Sequence, residues 1–218
     1  MILTEEQLQD LKQELRYATR YQETYDEVLD HVVTAIDNMD TKEELYATTL
    51  TKSIIDNEFG GYEALKDMEK NHAKLVMHSM RVKHWENIKW FFNWPTVMLT
   101  AALVVAGYVI DSHASSHKVL LLVTFGASAC PLLFIGFKKL IGKYSGYYTG
   151  VYTKPSIKDG YILNAAMLSC NTINLVSFTL KNFNLYGTLT LFVFVVYSVF
   201  VLSFFKLYRE EYRIIIAR

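Results

Sequence analysis

The chain has 218 residues, with 22 Lys+Arg balanced by 22 Asp+Glu. The zero total hides two unlike halves: residues 1–94 hold 11 basic and 18 acidic side chains (net −7), and residues 95–218 hold 11 and 4 (net +7). Residues 1–58, with 14 Asp+Glu against 5 Lys+Arg, would oppose phosphate charge, which argues against direct nucleic-acid binding by this segment.

The first 30 residues carry no basic start followed by an apolar core, so no signal peptide is expected and the first apolar span becomes the insertion signal. Residues 1–61 read as a run of short helices forming a small cytoplasmic domain. Thr4-x-x-Gln7 is a capping-box start, followed by a Leu8, Leu11, Leu15 stripe. Tyr25, Val28, Leu29, Val32, Val33 and Ile36 follow helical spacing, with Asp26, Glu27, Asp30 and Asp37 off the stripe. Thr41-Lys-Glu-Glu44 is a second capping box, and Leu45, Leu50, Ile54, Ile55 and Phe59 follow it. Gly60-Gly61 is a helix stop, because glycine takes the left-handed cap without steric cost.

Residues 62–94 read as one connecting helix, with Leu65, Met68, His72 and Leu75 at three-to-four spacing, running on into the first span. Such a helix would link the domain to the membrane, or serve as a plain linker, or as a seam between two copies of the chain. His72, His78 and His84, six apart, scatter around it and make no metal site.

The run Tyr25-Asp26-Glu27-Val28-Leu29-Asp30-His31-Val32, with Asn57-Glu58-Phe59-Gly60-Gly61 and Leu65 about 30 residues later, resembles the HAAS-type bacterial domain. The likeness covers roughly residues 3–75, and Val28 stands where that family more often has Leu. It implies a small α-helical module placed before transmembrane helices, associated with PadR-type regulators and acting in signalling. Nothing in residues 95–218 points to a family.

Residues 90–110, 119–137, 160–180 and 182–205 hold no Asp, Glu, Lys or Arg, and each has the length of a membrane-spanning helix. The alternation of a barrel strand is absent. Residues 95–218 are therefore expected to form a four-helix transmembrane bundle with a tail that continues the last helix or lies on the inner leaflet. Arg81, Lys83 and Lys89 precede the first span, Lys138, Lys139, Lys143, Lys154 and Lys158 lie between the second and third, and Lys206, Arg209, Arg213 and Arg218 end the chain. Basic residues concentrate on the cytoplasmic side, which puts both termini there, in a bacterial inner membrane. Pro131 is expected to bend the second span, and Cys130 and Cys170 to be buried thiols acting as small apolar residues.

Four groups carry candidate chemistry. Asp26, Asp30 and His31 are candidate contacts for a protein partner, against a purely structural role for the Asp30-His31 pair. Asn164, Asn171 and Asn174 share one face of the third span, where they would line a polar cavity or bond between helices or protomers. His113 and His117 would hold a metal only if their loop were helical. Gly142, Gly146 and Gly150 would allow close helix approach, or form an interfacial loop. No span holds an Asp, Glu, Lys or Arg, which argues against an ion-coupled transporter. No Walker A, GxGxxG, HExxH, GxSxG or CxxC pattern occurs, and no cofactor or catalytic residue is assigned. The expected protein is an all-α signalling or regulatory membrane protein whose partners are the lipid bilayer, a cytoplasmic or membrane protein, and a second copy of itself. A structural subunit of a transporter-type complex and a small lipid-directed enzyme or carrier are the alternatives.

Overall fold

The computed structural model describes residues 4–38, 47–113, 118–144, 154–183 and 187–216. Every regular element among them is an α-helix: α1 Glu5–Ala18, α2 Gln22–Asp37, α3 Ala47–Phe59, α4 Tyr62–Trp90, α5 Val97–His113, α6 Lys118–Tyr144, α7 Ile157–Asn182 and α8 Thr188–Ile216. The Thr41–Glu44 box, Leu45, His117 and the stretch 145–153 lie outside the described residues. The chain packs as two compact units, whose boundaries fall inside α4, between His78 and Ser79, and inside α7, between Gly160 and Tyr161.

In the first unit α1 starts with the expected reciprocal cap: the Thr4 hydroxyl accepts from the Gln7 N–H at 3.3 Å, and Gln7 Oε1 accepts from the Thr4 N–H at 3.0 Å. Leu11 and Leu15 of α1, Tyr25, Val28, Val32 and Ile36 of α2, Ile54 and Ile55 of α3 and Leu65 of α4 form one core. Each fully buried aliphatic side chain there contributes about 1.5–3 kcal/mol. After α3 the chain reverses through Gly60 (φ 74°) and Gly61 (φ 94°), with the Gly61 N–H donating to the Ile55 carbonyl at 3.0 Å. These left-handed dihedrals suit glycine and would strain any other residue.

The buried stripe of α4 differs from the one its apolar residues suggest. Met68 and Leu75 are 54% and 70% exposed, and His72 is exposed too. The inward positions are Leu65, Glu69 and Ala73, then Met80, His84 and Asn87. Three polar residues therefore face inward, and each is satisfied by a specific partner, so apolar spacing alone points to the wrong side of the helix.

α4 also stops short of the first apolar span. Residues 91–96 form a turn. Pro95 has no N–H to continue a helical ladder, and the residue before a proline is pushed out of the α region. The Thr96 hydroxyl bridges the Trp90 and Asn93 carbonyls, and the Thr100 hydroxyl donates to the Phe91 carbonyl at 2.7 Å. The turn is thus held by side chains from the start of α5.

In the second unit α8 packs against α5 and α6, and α5 against α6. At Gly107 α5 lies close against α8: a Cβ there would lie 2.6 Å from Leu191 Cδ1 and 2.8 Å from Phe194 Cδ1. α6 runs through Pro131 as a single helix. The buried hydroxyls of Thr124 and Ser128 donate back to the Leu120 and Phe125 carbonyls at 2.7 and 2.8 Å. α7 joins through Ile173 and Leu180 against Val193 of α8, through Tyr197 donating to Thr172 Oγ1 at 2.8 Å, and through the Cys170 thiol donating to the Ser128 carbonyl at 3.2 Å. Both thiols are free, and Cys130 is exposed rather than buried.

Among the described residues three helical segments are long and apolar enough to cross a membrane: Lys118–Lys138, Ile157–Asn182 and Thr188–Tyr212. The apolar helix Val97–His113 is shorter, at 17 residues.

Candidate functional site

The most elaborate polar arrangement of the first unit surrounds the turn between α1 and α2. An α-helix leaves its last carbonyls unpaired. At the end of α1 these are met by Lys154, whose ammonium donates to the Arg16 carbonyl at 2.7 Å, to the Thr19 hydroxyl at 2.9 Å and to the Thr19 carbonyl. All three donors of the ammonium are used, and its positive charge sits at the negative end of the helix dipole. Burial pulls the Lys154 pKa below the usual lysine value, with Glu69 acting in the opposite sense. On the far side of the same turn, Glu69 Oε1 accepts from the backbone N–H groups of Arg20 and Tyr21 at 2.8 and 2.9 Å.

Lys154 belongs to a short segment stitched to α2. Its own N–H donates to Gln22 Oε1 at 3.0 Å. The Glu23 carboxylate accepts from the Ser156 hydroxyl at 2.5 Å and from the Ile157 N–H at 3.2 Å. That N–H is one of the unpaired donors at the start of α7, so Glu23 caps that helix with an anion at its positive end.

Against the α1–α2 turn lies an open cavity of about 500 Å³. Tyr17, Tyr21, Ala73 and Met77 supply its apolar walls, and Arg20, Lys66, Lys70 and Lys74 bring four cations to it. The three lysines recur every four residues on one face of α4, where like charges repel. In an otherwise acidic stretch of chain these four basic side chains, with one carboxylate, Glu69, line one concave place, which attracts an anionic group with an apolar body. The Lys66-x-x-x-Lys70-x-x-x-Lys74 spacing was the sequence signal for it. Glu69 and Lys154 gave none.

Asp26, Asp30 and His31 lie elsewhere, exposed on α2. Asp26 accepts from Gln22 Nε2 at 2.8 Å, and the His31 ring meets Phe59 edge-on at 6.0 Å. Neither the cavity nor the turn includes them.

In the second unit α4 lays a row of polar side chains on α8. His84, 4% exposed, has Nε2 3.1 Å from Ser203 Oγ and Nδ1 3.3 Å from the Tyr161 hydroxyl. Ser203 already donates to the Phe200 carbonyl at 2.7 Å. Its oxygen is thus left to accept from Nε2–H, and the Tyr161 hydroxyl is placed to donate to Nδ1, an arrangement that accommodates a neutral imidazole. Burial agrees, holding the His84 pKa below its ordinary value. One turn away Asn87 donates to Glu210 at 2.9 Å, and Lys83 pairs with the buried Glu211 at 2.5 Å. The ammonium of Lys206 lies 3.9 Å from the centre of the Trp90 ring.

Asn164, Asn171 and Asn174 share one face of α7, as their spacing indicates, and that face is exposed. A cavity of about 210 Å³ between α7 and α8 is bounded instead by Leu168, Ser169, Thr172, Val196, Tyr197 and Phe200. Among the described residues no group of three or more His, Cys, Asp or Glu is arranged to hold a metal ion; His113 Nδ1 donates locally to the Val109 carbonyl, 2.9 Å away, and His117 is outside them. No protein-family model matches the chain, and neither a curated protein nor a solved structure matches it.

Proposed function

We propose that the protein is a multi-pass signalling or regulatory protein of the bacterial inner membrane, whose helical first unit lies in the cytoplasm and binds a protein partner. Three helices have the length and composition to span the bilayer, and α5 supplies a fourth. At about 1.5 Å per residue its 17 residues extend roughly 25 Å, close to the hydrocarbon thickness of about 30 Å. With four spans both ends fall on one side, and the basic residues before α5, between α6 and α7 and at the end of the chain favour the cytoplasm. The HAAS-type resemblance of residues 3–75 points the same way.

The observation that carries the reading is continuity. α4 and α7 each belong to the first unit at their start and to the second unit for the rest of their length. Residues beside the cavity, Lys70 and Lys74, are thus in the same helix as His84 and Asn87. A partner that shifts the hold on α4 biases a helix that runs on into the second unit, which is the form a switch requires. The partner that fits the cavity is an acidic peptide segment carrying an apolar or aromatic anchor. Asp26, Asp30 and His31, exposed on α2 away from the cavity, offer further contacts to another part of the partner.

The test is an in-cell crosslink and pull-down of the tagged full-length chain beside a Lys66→Glu/Lys70→Glu/Lys74→Glu variant. These side chains are exposed, so folding should survive. A soluble partner captured by the parent and lost with the variant supports the proposal. A membrane partner retained equally by both would instead favour a structural subunit of a bilayer complex, the reading to which the exposed amide face of α7 lends weight.

A further inference from the structure

The two faces of α7 are sharply divided. Ile162, Ala166, Ser169, Ile173 and Leu180 are buried against the rest of the unit. The opposite face presents Asn164, Met167, Asn171, Asn174 and Phe178, all exposed, with Met167 at 48% and Phe178 at 64%. These positions advance by 3, 4, 3 and 4 residues, which is the a/d repeat of a helix seam. Leu168, Leu175 and Thr179 flank this row and are exposed too, so the spacing is that of one helix face; what sets the face apart is its amides, which lipid leaves unsatisfied. Asn174 has found a local answer, donating to the Cys170 carbonyl at 2.9 Å. Among the described residues Asn164 and Asn171 have none.

We propose that this face pairs with the same face of a second copy of the chain, forming a parallel α7–α7 seam across the bilayer. The inference rests on α7 spanning the membrane. Every copy then inserts in one direction, so a two-fold axis along the membrane normal sets the two α7 helices parallel and brings each residue opposite its own counterpart. An asparagine amide both donates and accepts, so Asn171 closes a reciprocal pair with Asn171 of the other copy, and Asn164 does the same two turns away. Asparagine at position a of a two-stranded parallel coil fixes register and strand number, because any slip leaves both amides unpaired in an apolar seam. Met167 and Phe178 fill the layers between and beyond. The same reciprocity selects an identical partner, since a different protein would have to reproduce the amide spacing.

The experiment uses the full-length chain in native membranes with Cys130→Ser and Cys170→Ser as background. Single cysteines replace Met167 and Phe178 on the seam, leaving every asparagine in place, and Val105 on α5 and Leu133 on α6 as exposed controls. The expected result is oxidative crosslinking to a dimer at least tenfold faster at the two seam positions than at the controls. In liposomes, with association read by energy transfer against lipid dilution, Asn171→Leu should weaken the dimer roughly 3- to 30-fold, the range of interhelical polar contacts in membranes. Equal or faster crosslinking at the controls, a monomer at every lipid dilution, or crosslinks to a different protein would overturn the seam while leaving the membrane reading intact. Recovery of the chain outside the membrane fraction would overturn both.

Discussion

Lys154 and Glu69 hold opposite edges of one turn: the lysine takes the carbonyls of Arg16 and Thr19, and the glutamate takes the N–H groups of Arg20 and Tyr21. The two side chains are 85 positions apart in the chain, yet between them they satisfy the polar backbone where α1 ends and α2 begins. Each group does what only its charge type can do, since an ammonium has no acceptor and a carboxylate no donor.

Glu69 is 6% exposed, so its removal orphans two N–H groups that water reaches poorly. Glu69→Ala should favour opening of the turn by about 1–3 kcal/mol, roughly a 5- to 150-fold gain in the open population. Arg20 sits in the turn and gives a direct readout, tryptic cleavage at that bond in the full-length protein. Glu69→Gln retains one acceptor oxygen and should fall well short of the alanine effect. Equal cleavage of all three proteins would remove Glu69 from this role.

The hydrophobic framework of the first unit was legible in the sequence. Leu11 and Leu15, the Tyr25–Val28–Val32–Ile36 stripe, the Thr4–Gln7 box and the Gly60-Gly61 stop follow from local periodicity and cap chemistry, and each occupies its expected place. The apolar helices of the second half were equally plain, because spanning length is a property of composition. What was hidden is polar and long-range. Lys154 sits among basic residues that read from sequence as topology signals, and nothing local separates a capping lysine from its neighbours. Glu69, His84 and Asn87 look like the solvated side of α4 until their partners on distant segments are known. The break at Phe91–Thr96 was partly legible, since Pro95 marks it, but uninterrupted apolar composition masked it.

His84 makes the second unit sensitive to acid. Its folded form is neutral and its pKa is held below the ordinary 6.5 by burial beside Ser203, Tyr161 and the Phe200 ring. Below 6.5 the unfolded chain takes up the proton before the folded one, so it binds more protons and stability falls with pH. The contribution is present above about pH 6.5 and lost as pH drops toward the lowered folded value. The melting temperature of the purified protein in nanodiscs should fall between pH 7 and 5, and His84→Gln should flatten that fall while lowering stability at pH 7. An unchanged slope in the variant would assign the acid sensitivity to other groups.

Gly107 tests the packing of α5 on α8. A methyl group placed there would overlap Leu191 and Phe194, whose side chains have to move. Gly107→Ala should cost about 1–3 kcal/mol, and Gly107→Val more, because a branched side chain leaves less room to adjust. Gly126 and Gly136 of α6 have open space where a methyl group would stand, so alanine there should be tolerated. Melting in nanodiscs compares all four variants. A stabilised Gly107→Ala protein, as helix propensity alone would favour, would show that α5 and α8 are not this close.

Two ion pairs between similar residues should behave differently. Lys206 and Glu210 are 3.8 Å apart, one turn apart on α8, with the carboxylate 48% exposed. Such a pair is worth roughly 0–1 kcal/mol. Lys83 meets Glu211 at 2.5 Å, and that carboxylate is only 4% exposed. Removing Lys83 takes one ion-pair partner from a buried carboxylate, which costs more than losing a contact in solvent. Lys83→Met should therefore destabilise the second unit more than Lys206→Met, even though the Lys83 side chain is itself half exposed. Raised salt should reduce the Lys206 contribution and leave most of the Lys83 contribution in place. The comparison needs both single variants at low and high salt in the same nanodiscs. If the two lose equal stability, and salt screens both alike, then Glu211 is solvated and the row of polar contacts from Lys83 to Asn87 is a surface feature rather than part of the packing between α4 and α8.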